Sequence, residues 1–413
     1  MAQLERGGTE FSGAAAAVAA PRWALNWIVG PRLDLLCFIG AAALGYGMFF
    51  LHAGLAMDMV AVWFVWYMFL DSPHFFATYS RTYFDREEMR SRRRLLRGSL
   101  GLLLVGPAVF AGCLALFAAD VEWYKTPYFV LVTFVSIWAY WHVVRQHFGI
   151  MSLYKRKNDD GAKIDVKIDR WVLYLGLLTP FAAFIVRNEE ARGVFGRLLG
   201  VPLGAYAATP WAIDTLVVGA TVVVAGAALA TFAGRQLGRL IRGETVNLAK
   251  ILFLGAVIPL HLVVSYHPKS TTLALLGFSA CVTIFHDVQY HAIVWWYQRN
   301  RMGKAGGEAR QKYGLAAKIG TSFPLYACCA VGMGLTMGLL GCLLDVNPGC
   351  IPVIGSRDIL LLGSELSMNE LFYGVFLGVL MHHYFVDQFL WRPSRDRNLK
   401  ADLKLDQQPV RPR

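Results

Sequence analysis

Long apolar runs dominate the chain. Stretches of about 20 residues recur along its 413 residues, and each can cross the ~30 Å hydrocarbon core of a bilayer. Because backbone polar groups in lipid must be satisfied within each segment, these runs predict helices. We place ten spans at residues 33–55, 57–83, 97–119, 127–154, 168–187, 210–233, 248–268, 272–297, 320–344 and 370–391. The short alternating strands of a transmembrane barrel are absent from the pattern, so the predicted fold is all-α, a polytopic transmembrane helical bundle.

The composition supports this class. Hydrophobic residues make up 56% of the chain and charged residues only 16%, as expected for an integral protein, and we expect the bacterial inner (cytoplasmic) membrane. Residues 1–32 are predicted to form a cytoplasmic tail and interfacial segment, 33–391 a single transmembrane domain, and 392–413 a basic cytoplasmic tail. The Gly/Ala-rich start lacks the basic start and compact apolar core of a cleaved signal peptide.

The net charge of +12 is explained by topology. Clusters of Arg and Lys follow the second, fourth, sixth, eighth and tenth spans, whereas the intervening loops carry few, apart from a milder group after the fifth span. Basic loops stay on the cytoplasmic side, which places both termini there. A nucleic-acid partner is therefore not expected.

Seven cysteines form no CxxC pair, and most lie in apolar runs. A disulfide framework is not expected, although Cys342 and Cys350 flank an outer boundary and are placed to pair.

Ionisable residues interrupt four of the predicted spans. Such residues are costly in a membrane and normally face a bundle interior or a cavity, so they indicate a functional site. All lie in the predicted cytoplasmic half, on spans that run from outside to inside. They are His74, His142, His147, His286, His291, His382 and His383, with Asp71, Asp287 and Asp387. Three further histidines, His52, His261 and His267, lie toward the opposite side, where we expect interhelical hydrogen bonds.

Spacing pairs several of these residues on one helix face, because positions three or four apart are neighbours. The pairs are Asp71/His74, His142/Gln146, Asp287/His291 and His383/Asp387. A carboxylate or amide beside a histidine serves a metal site as a ligand or as the acceptor that fixes the imidazole tautomer. We assign catalytic and metal-binding roles to the seven histidines and metal-binding roles to the three aspartates. Arg145 and Gln146 are expected next to the cofactor.

Imidazole suits iron, copper and zinc, and carboxylates favour iron, manganese or zinc. Because a catalytic zinc takes three protein ligands, seven histidines favour a dinuclear site. The elements His142-x4-His147 and His286-x4-His291 and the pair His382–His383 resemble those of the membrane histidine-box di-iron enzymes, the desaturases, hydroxylases and carotenoid oxygenases. This resemblance implies two iron ions.

A second resemblance is to the Brp/Blh-type β-carotene cleavage dioxygenases. It rests on Pro73-His74, His147-Phe148-Gly149, Tyr266-His267-Pro268 and the stretch from Phe285-His286 to His291, which occur in the order of that family's elements. Both resemblances imply an iron centre that activates O2 against an apolar substrate.

The predicted function is therefore O2-dependent hydroxylation, desaturation or cleavage of a lipidic substrate that enters from the membrane. A ferredoxin-type or other electron donor would dock at the basic cytoplasmic face. Two alternatives remain open. Histidines on several helices also ligate haem b in electron-transfer subunits, and His/Asp residues in membranes relay protons or bind ions in transporters. Zinc or copper could replace iron.

Overall fold

The computed structural model describes residues 23–199, 213–343, 360–361 and 363–405, and these residues are almost entirely helical. The single sheet among them is a two-residue parallel pairing of β1 (Trp23–Ala24) with β2 (Val246–Asn247). The all-α prediction is therefore confirmed. Residues 1–22 of the predicted N-terminal segment and residues 406–413 of the predicted basic tail lie outside the described residues.

Ten long helical segments, α1–α10, occur in the described part of the chain, close to the ten predicted positions. They are α1 (Pro31–Ala53), α2 (residues 59–81), α3 (Arg93–Ala118), α4 (Thr126–Lys157), α5 (Lys163–Arg187), α6 (Ile213–Ile241), α7 (Leu248–Tyr266), α8 (Leu275–Ala305), α9 (Phe323–Leu343) and α10 (Met368–Leu390). A shorter helix, Glu189–Leu199, follows α5.

Seven helices in the described ranges are long and apolar enough to cross a membrane: α1, α3, α4, α5, α6, α7 and α9. The chain thus has the character of an integral membrane protein. The other three, α2, α8 and α10, reach spanning length but carry many of the polar residues singled out above. That they also cross the bilayer, and that both termini are cytoplasmic, stays a prediction.

Helix α2 contains a π-helical segment shortly before its histidine, His74. The segment Tyr67–Asp71 is π-helical, and the α-helix resumes at Ser72 with Pro73 as its second residue. Proline has no N–H to continue the α-helical ladder, and single π-turns are frequent at functional sites. The wide turn thus lies directly before His74.

Small residues set the distance between α3 and α10. A Cβ atom added to Gly106 of α3 would overlap the backbone of Gly374 in α10. Small residues let membrane helices approach closely, because packing drives their association. This contact fixes α10, the helix that carries His382 and His383.

A buried charge cluster joins α4, α5, α6 and α7. The Lys250 Nζ is fully buried and donates to Asp160 Oδ2 at 2.7 Å and Asp169 Oδ2 at 3.0 Å. Lys155 also binds Asp169, and Arg239 donates to Asp160 Oδ1 at 2.9 Å. Burial opposes ionisation of Asp160, but Lys250, Lys155 and Arg239 outweigh it and lower the pKa of Asp160 to about 2.

Cys342 is disulfide-bonded, and its partner lies outside the described residues. The predicted partner, Cys350, is one of the residues beyond that description. The cysteines on α1, α3, α8 and α9, other than Cys342, are free.

We predict that Gly106→Val disrupts the α3–α10 contact. Overpacking costs about 1–3 kcal/mol, so the melting temperature of the detergent-purified protein should fall by several degrees. Gly112→Val on the same helix is the matched control, because a Cβ there meets no atom within 4 Å in the described structure. Equal melting temperatures for the two variants would contradict the contact.

We also predict a pH dependence from Asp160. Its pKa is lowered, so its stabilising contribution is complete above the ordinary value of 3.8 and is lost as the pH falls through about 2. The Asp160→Asn variant should melt lower than the parent at pH 6, and this difference should narrow toward pH 3. Asp159→Asn, at the exposed neighbouring position, is the control. A pH-independent difference would contradict this contribution.

Candidate metal centre

Four buried histidines from four helices lie close together. They are His74 of α2, His142 of α4, His286 of α8 and His383 of α10. The ring centroids of His74 lie 4.4 Å from His383 and 4.9 Å from His286. The His142 ring lies 5.0 Å from each of these two rings and 6.4 Å from His74.

These distances match imidazoles arranged around one ion. A metal–nitrogen bond of 2.0–2.1 Å places each ring centroid about 3.2 Å from the ion, so adjacent rings lie about 4.5 Å apart and opposite rings about 6.3 Å apart. Four pairs lie at 4.4–5.0 Å, as neighbours would, and the pair His74–His142 lies at 6.4 Å, as opposite ligands would. A regular tetrahedron would place every pair at about 5.1 Å, and the His74–His142 pair at 6.4 Å departs from that arrangement.

The ring nitrogens converge. The Nε2 atoms of His74 and His286 are 3.3 Å apart, and ligand atoms of His74, His142 and His383 all lie within 4.8 Å of one another. Among the described residues, the buried Nε2 atoms of His142 and His383 have no hydrogen-bond partner. Buried polar atoms are nearly always satisfied, so converging unpartnered nitrogens indicate a place for a ligand or ion.

Thr78 and Asp387 lie next to His383. Asp387 Oδ1 accepts hydrogen bonds from Thr78 Oγ1 at 3.0 Å and from Tyr290 Oη at 2.8 Å. Thr78 Oγ1 also lies 2.8 Å from His383 Nδ1 and 2.7 Å from Tyr290 Oη, so these side chains form one buried polar network. With the Thr78 proton on Asp387, the ring N–H of His383 would donate to Thr78, and the lone pair of His383 would be on Nε2.

Asp287 occupies the equivalent position behind His74. Its Oδ1 lies 3.5 Å from His74 Nδ1, and its Oδ2 accepts a 2.9 Å hydrogen bond from Trp66 Nε1. With Nδ1 directed at the carboxylate, His74 presents Nε2 to His286. Asp287 also belongs to a group with His74 and His286 that could itself hold an ion. Asp71 lies in the wall of the adjoining cavity.

The other three predicted histidines lie apart from this cluster. His291 Nδ1 contacts Tyr326 Oη at 2.9 Å, and His382 Nε2 contacts Tyr83 Oη at 2.7 Å. The His147 ring lies 6.1 Å from His261. His261, which was predicted to lie toward the opposite side, is thus a ring neighbour of His147.

The two predicted cofactor neighbours have different roles. Gln146 Nε2 donates to the backbone carbonyl of His286 at 2.8 Å, so it holds the helix that carries a candidate ligand. Arg145 instead hydrogen-bonds to Tyr174 and stacks against Phe148, facing away from the four rings.

Sequence reasoning missed Thr78, Tyr290 and Trp66. Thr78 lies four residues after His74, and Tyr290 four residues after His286, so helical spacing could have found both. Trp66 lies before the π-helical turn, which breaks that spacing.

An apolar cavity of about 640 Å³ adjoins the cluster. Three candidate ligands, His74, His142 and His286, lie in its wall, and most of the remaining wall is aliphatic or aromatic. It also reaches Leu340 of α9 and Val375 of α10, which are 50% and 41% exposed on the apolar surface of the bundle.

Comparisons of the chain with protein-family models, curated proteins and solved structures find no match.

We predict that replacing any one of His74, His142, His286 and His383 with Ala weakens binding of the ion. The metal content, measured by mass spectrometry on purified and chelator-washed protein, should fall several-fold from about one ion per chain, because each variant loses one of four metal–nitrogen bonds. His382→Ala and His291→Ala are the controls and should retain the ion. Full occupancy in the four variants would exclude this centre.

The contact between the Thr78 hydroxyl and His383 Nδ1 gives a further prediction. Thr78→Val keeps the side-chain shape but removes the acceptor of the His383 N–H, and loss of such a partner lowers metal affinity about 10–100-fold. A chelator-competition titration measures this change. Thr133→Val, whose hydroxyl bonds only to its own helix, is the matched control; the same loss there would rule out a specific role for Thr78.

Proposed function

We propose that this protein is an iron-dependent membrane oxygenase that uses O2 to oxidise an apolar, lipid-like substrate. The observation that carries the proposal is the convergence of four buried imidazoles at the wall of an apolar cavity. Iron supplies the O2 chemistry when it is bound.

The ligand geometry favours a single redox-active ion. Imidazole suits iron, copper and zinc alike, but structural zinc sites are tetrahedral, and the 6.4 Å separation of His74 and His142 does not fit that shape. The two groups that could hold an ion, His74/His142/His383 and His74/His286/Asp287, share His74, so we propose one ion beside His74 in place of the predicted pair. With iron bound there, O2 would need a ligand position that these residues do not fill.

The spacing of the four histidine rings does not favour haem b. Two axial histidines must face each other across a macrocycle, whereas His142 lies 5.0 Å from both His286 and His383. Rings packed this closely leave no slot for a porphyrin between them.

The chain's own residues hold and orient the centre. Thr78 contacts His383 Nδ1 and Asp387, and Asp287 Oδ1 lies 3.5 Å from His74 Nδ1, so each of these two histidines has a carboxylate close to it. Burial of all four rings excludes bulk water, which protects a reactive site from side reactions.

The cavity supports an apolar substrate of extended shape. It reaches from Leu275 to His286 along α8, and the eleven residue steps between them rise about 16 Å. The opening between α9 and α10, at Leu340 and Val375, faces the apolar surface of the bundle, so a hydrocarbon chain would enter from lipid. A polar substrate would find few partners in this wall.

The source of electrons depends on the reaction. Oxidative cleavage that places both oxygen atoms in the products needs no external reductant, whereas hydroxylation or desaturation needs two electrons. For the latter, the basic loops on the predicted cytoplasmic side would attract an acidic ferredoxin-type donor.

The direct test is O2 consumption by iron-loaded protein in detergent. β-Carotene and an oleoyl phospholipid are the probes, each with and without reduced ferredoxin, and products are identified after ¹⁸O2 labelling. We expect O2 uptake and ¹⁸O in an apolar product with one probe class. Iron-loaded protein that consumes no O2 with either, and instead moves protons or metal ions across vesicles, would contradict the proposal in favour of a transporter.

A cavity variant separates substrate binding from metal binding. Ala139→Trp places a large side chain in the wall of the cavity. A loss of about 1.4 kcal/mol of substrate-binding free energy lowers the affinity tenfold. We therefore expect the oxidation rate to fall at least about tenfold while the iron content is unchanged. Ile137→Trp, at a position that is 44% exposed on the same helix, should keep full activity. Equal activity of the two variants would mean that the substrate does not use this cavity.

A further inference from the structure

A second pair of buried histidines lies outside the four-histidine cluster. His147 of α4 and His261 of α7 are both fully buried, and their ring centroids are 6.1 Å apart. Phe253 and Phe285 pack around His147. Neither histidine lies in the wall of the 640 Å³ cavity, so the pair does not contact the proposed substrate.

The hydrogen bonds of His261 determine which nitrogen is free. Tyr140 Oη donates its only proton to the Leu177 carbonyl at 2.7 Å. The contact of 2.8 Å between Tyr140 Oη and His261 Nδ1 must therefore be donated by the ring N–H. The lone pair of His261 is then on Nε2, which is buried and has no partner among the described residues.

Gln289 lies next to His147, as Tyr140 lies next to His261. The Gln289 side chain lies beside the His147 ring, and Gln289 donates from Nε2 to the Phe38 carbonyl at 3.1 Å. The atom left to accept is Gln289 Oε1, which is unpartnered within the described ranges, as are both ring nitrogens of His147. An N–H directed at Gln289 would leave the other nitrogen of His147 with a free lone pair.

The ring spacing fits an ion between the two imidazoles. Two rings that bind one ion from opposite sides have centroids about 6.3 Å apart, and the observed distance is 6.1 Å. A direct hydrogen bond between the rings is not formed, because the nitrogens lack partners in the described structure. Buried polar atoms left unpaired cost about 1–3 kcal/mol each, which an ion would relieve.

From these contacts we infer that His147 and His261 form a second metal site, separate from the four-histidine centre, and that it takes copper(I). The rings and the Gln289 amide are neutral, so a divalent ion would bring an uncompensated double charge into the bundle, where charge is costly. A monovalent ion halves that charge, and copper is among the metals that imidazole suits. The inference does not depend on the proposed oxygenase function.

The test is a copper(I) titration of full-length protein against a colorimetric chelator under anaerobic conditions. Two backgrounds separate the sites: the wild-type protein preloaded with iron(II), and a His74→Ala/His286→Ala variant in which the four-histidine centre is disabled. We expect one equivalent of copper(I) in both. X-ray absorption should show two nitrogen ligands at about 2 Å.

Variants of the pair decide the assignment. His147→Ala or His261→Gln should remove the equivalent in both backgrounds, and Tyr140→Phe should weaken it about 10–100-fold, as expected for a lost outer partner. His52→Ala, whose half-buried ring bonds to the Lys269 carbonyl, is the control and should bind as the parent does. Melting temperatures establish that each variant is folded.

Three results would overturn the inference: unchanged copper(I) binding in the folded His147 or His261 variants, no binding in either background, or preferential binding of zinc in competition. Loss of iron without loss of copper(I) in the double variant would support two separate sites.

Discussion

The cost of placing ionisable groups inside an apolar bundle governs this structure. An isolated charge or an unpaired polar atom is expensive there, so the groups are gathered where they satisfy one another. Asp387 accepts from Thr78 and Tyr290, Asp287 accepts from Trp66, and each carboxylate lies behind a histidine. Several imidazole nitrogens, among them His142 Nε2 and His383 Nε2, still have no hydrogen-bond partner among the described residues, and the proposed metal centre would satisfy them.

The cost of burying polar groups also separates the apolar helices from the helices that carry the histidines. The seven helices that are apolar enough to span a membrane include only α4 among the carriers of the four converging histidines. The other three carriers, α2, α8 and α10, pack against these helices, and the close contact of Gly106 with Gly374 joins α10 to α3. Under the proposed function, an apolar molecule would enter the cavity between α9 and α10 from the lipid.

Hydropathy was sufficient to predict the helices, because helix formation in apolar runs depends on local composition. It could not select four histidines from seven. His142 and His147 are predicted at similar depth in the membrane on the same helix. Because they are five residues apart, however, their side chains lie on different sides of α4. That His147 contacts His261 depends on how α7 packs, which the sequence does not show. Likewise, the role of Thr78 depends on α10, which is distant in sequence, and the π-turn before His74 alters the register that helical spacing assumes.

The central claim is that four imidazoles bind one iron ion at the wall of the apolar cavity. Iron K-edge X-ray absorption on anaerobically reconstituted full-length protein tests it most directly. We expect about one iron per chain and imidazole multiple scattering from four nitrogen ligands at about 2 Å, with no porphyrin signature. An iron–iron vector, a porphyrin signature, or an environment of oxygen ligands without imidazole would contradict the single four-histidine centre.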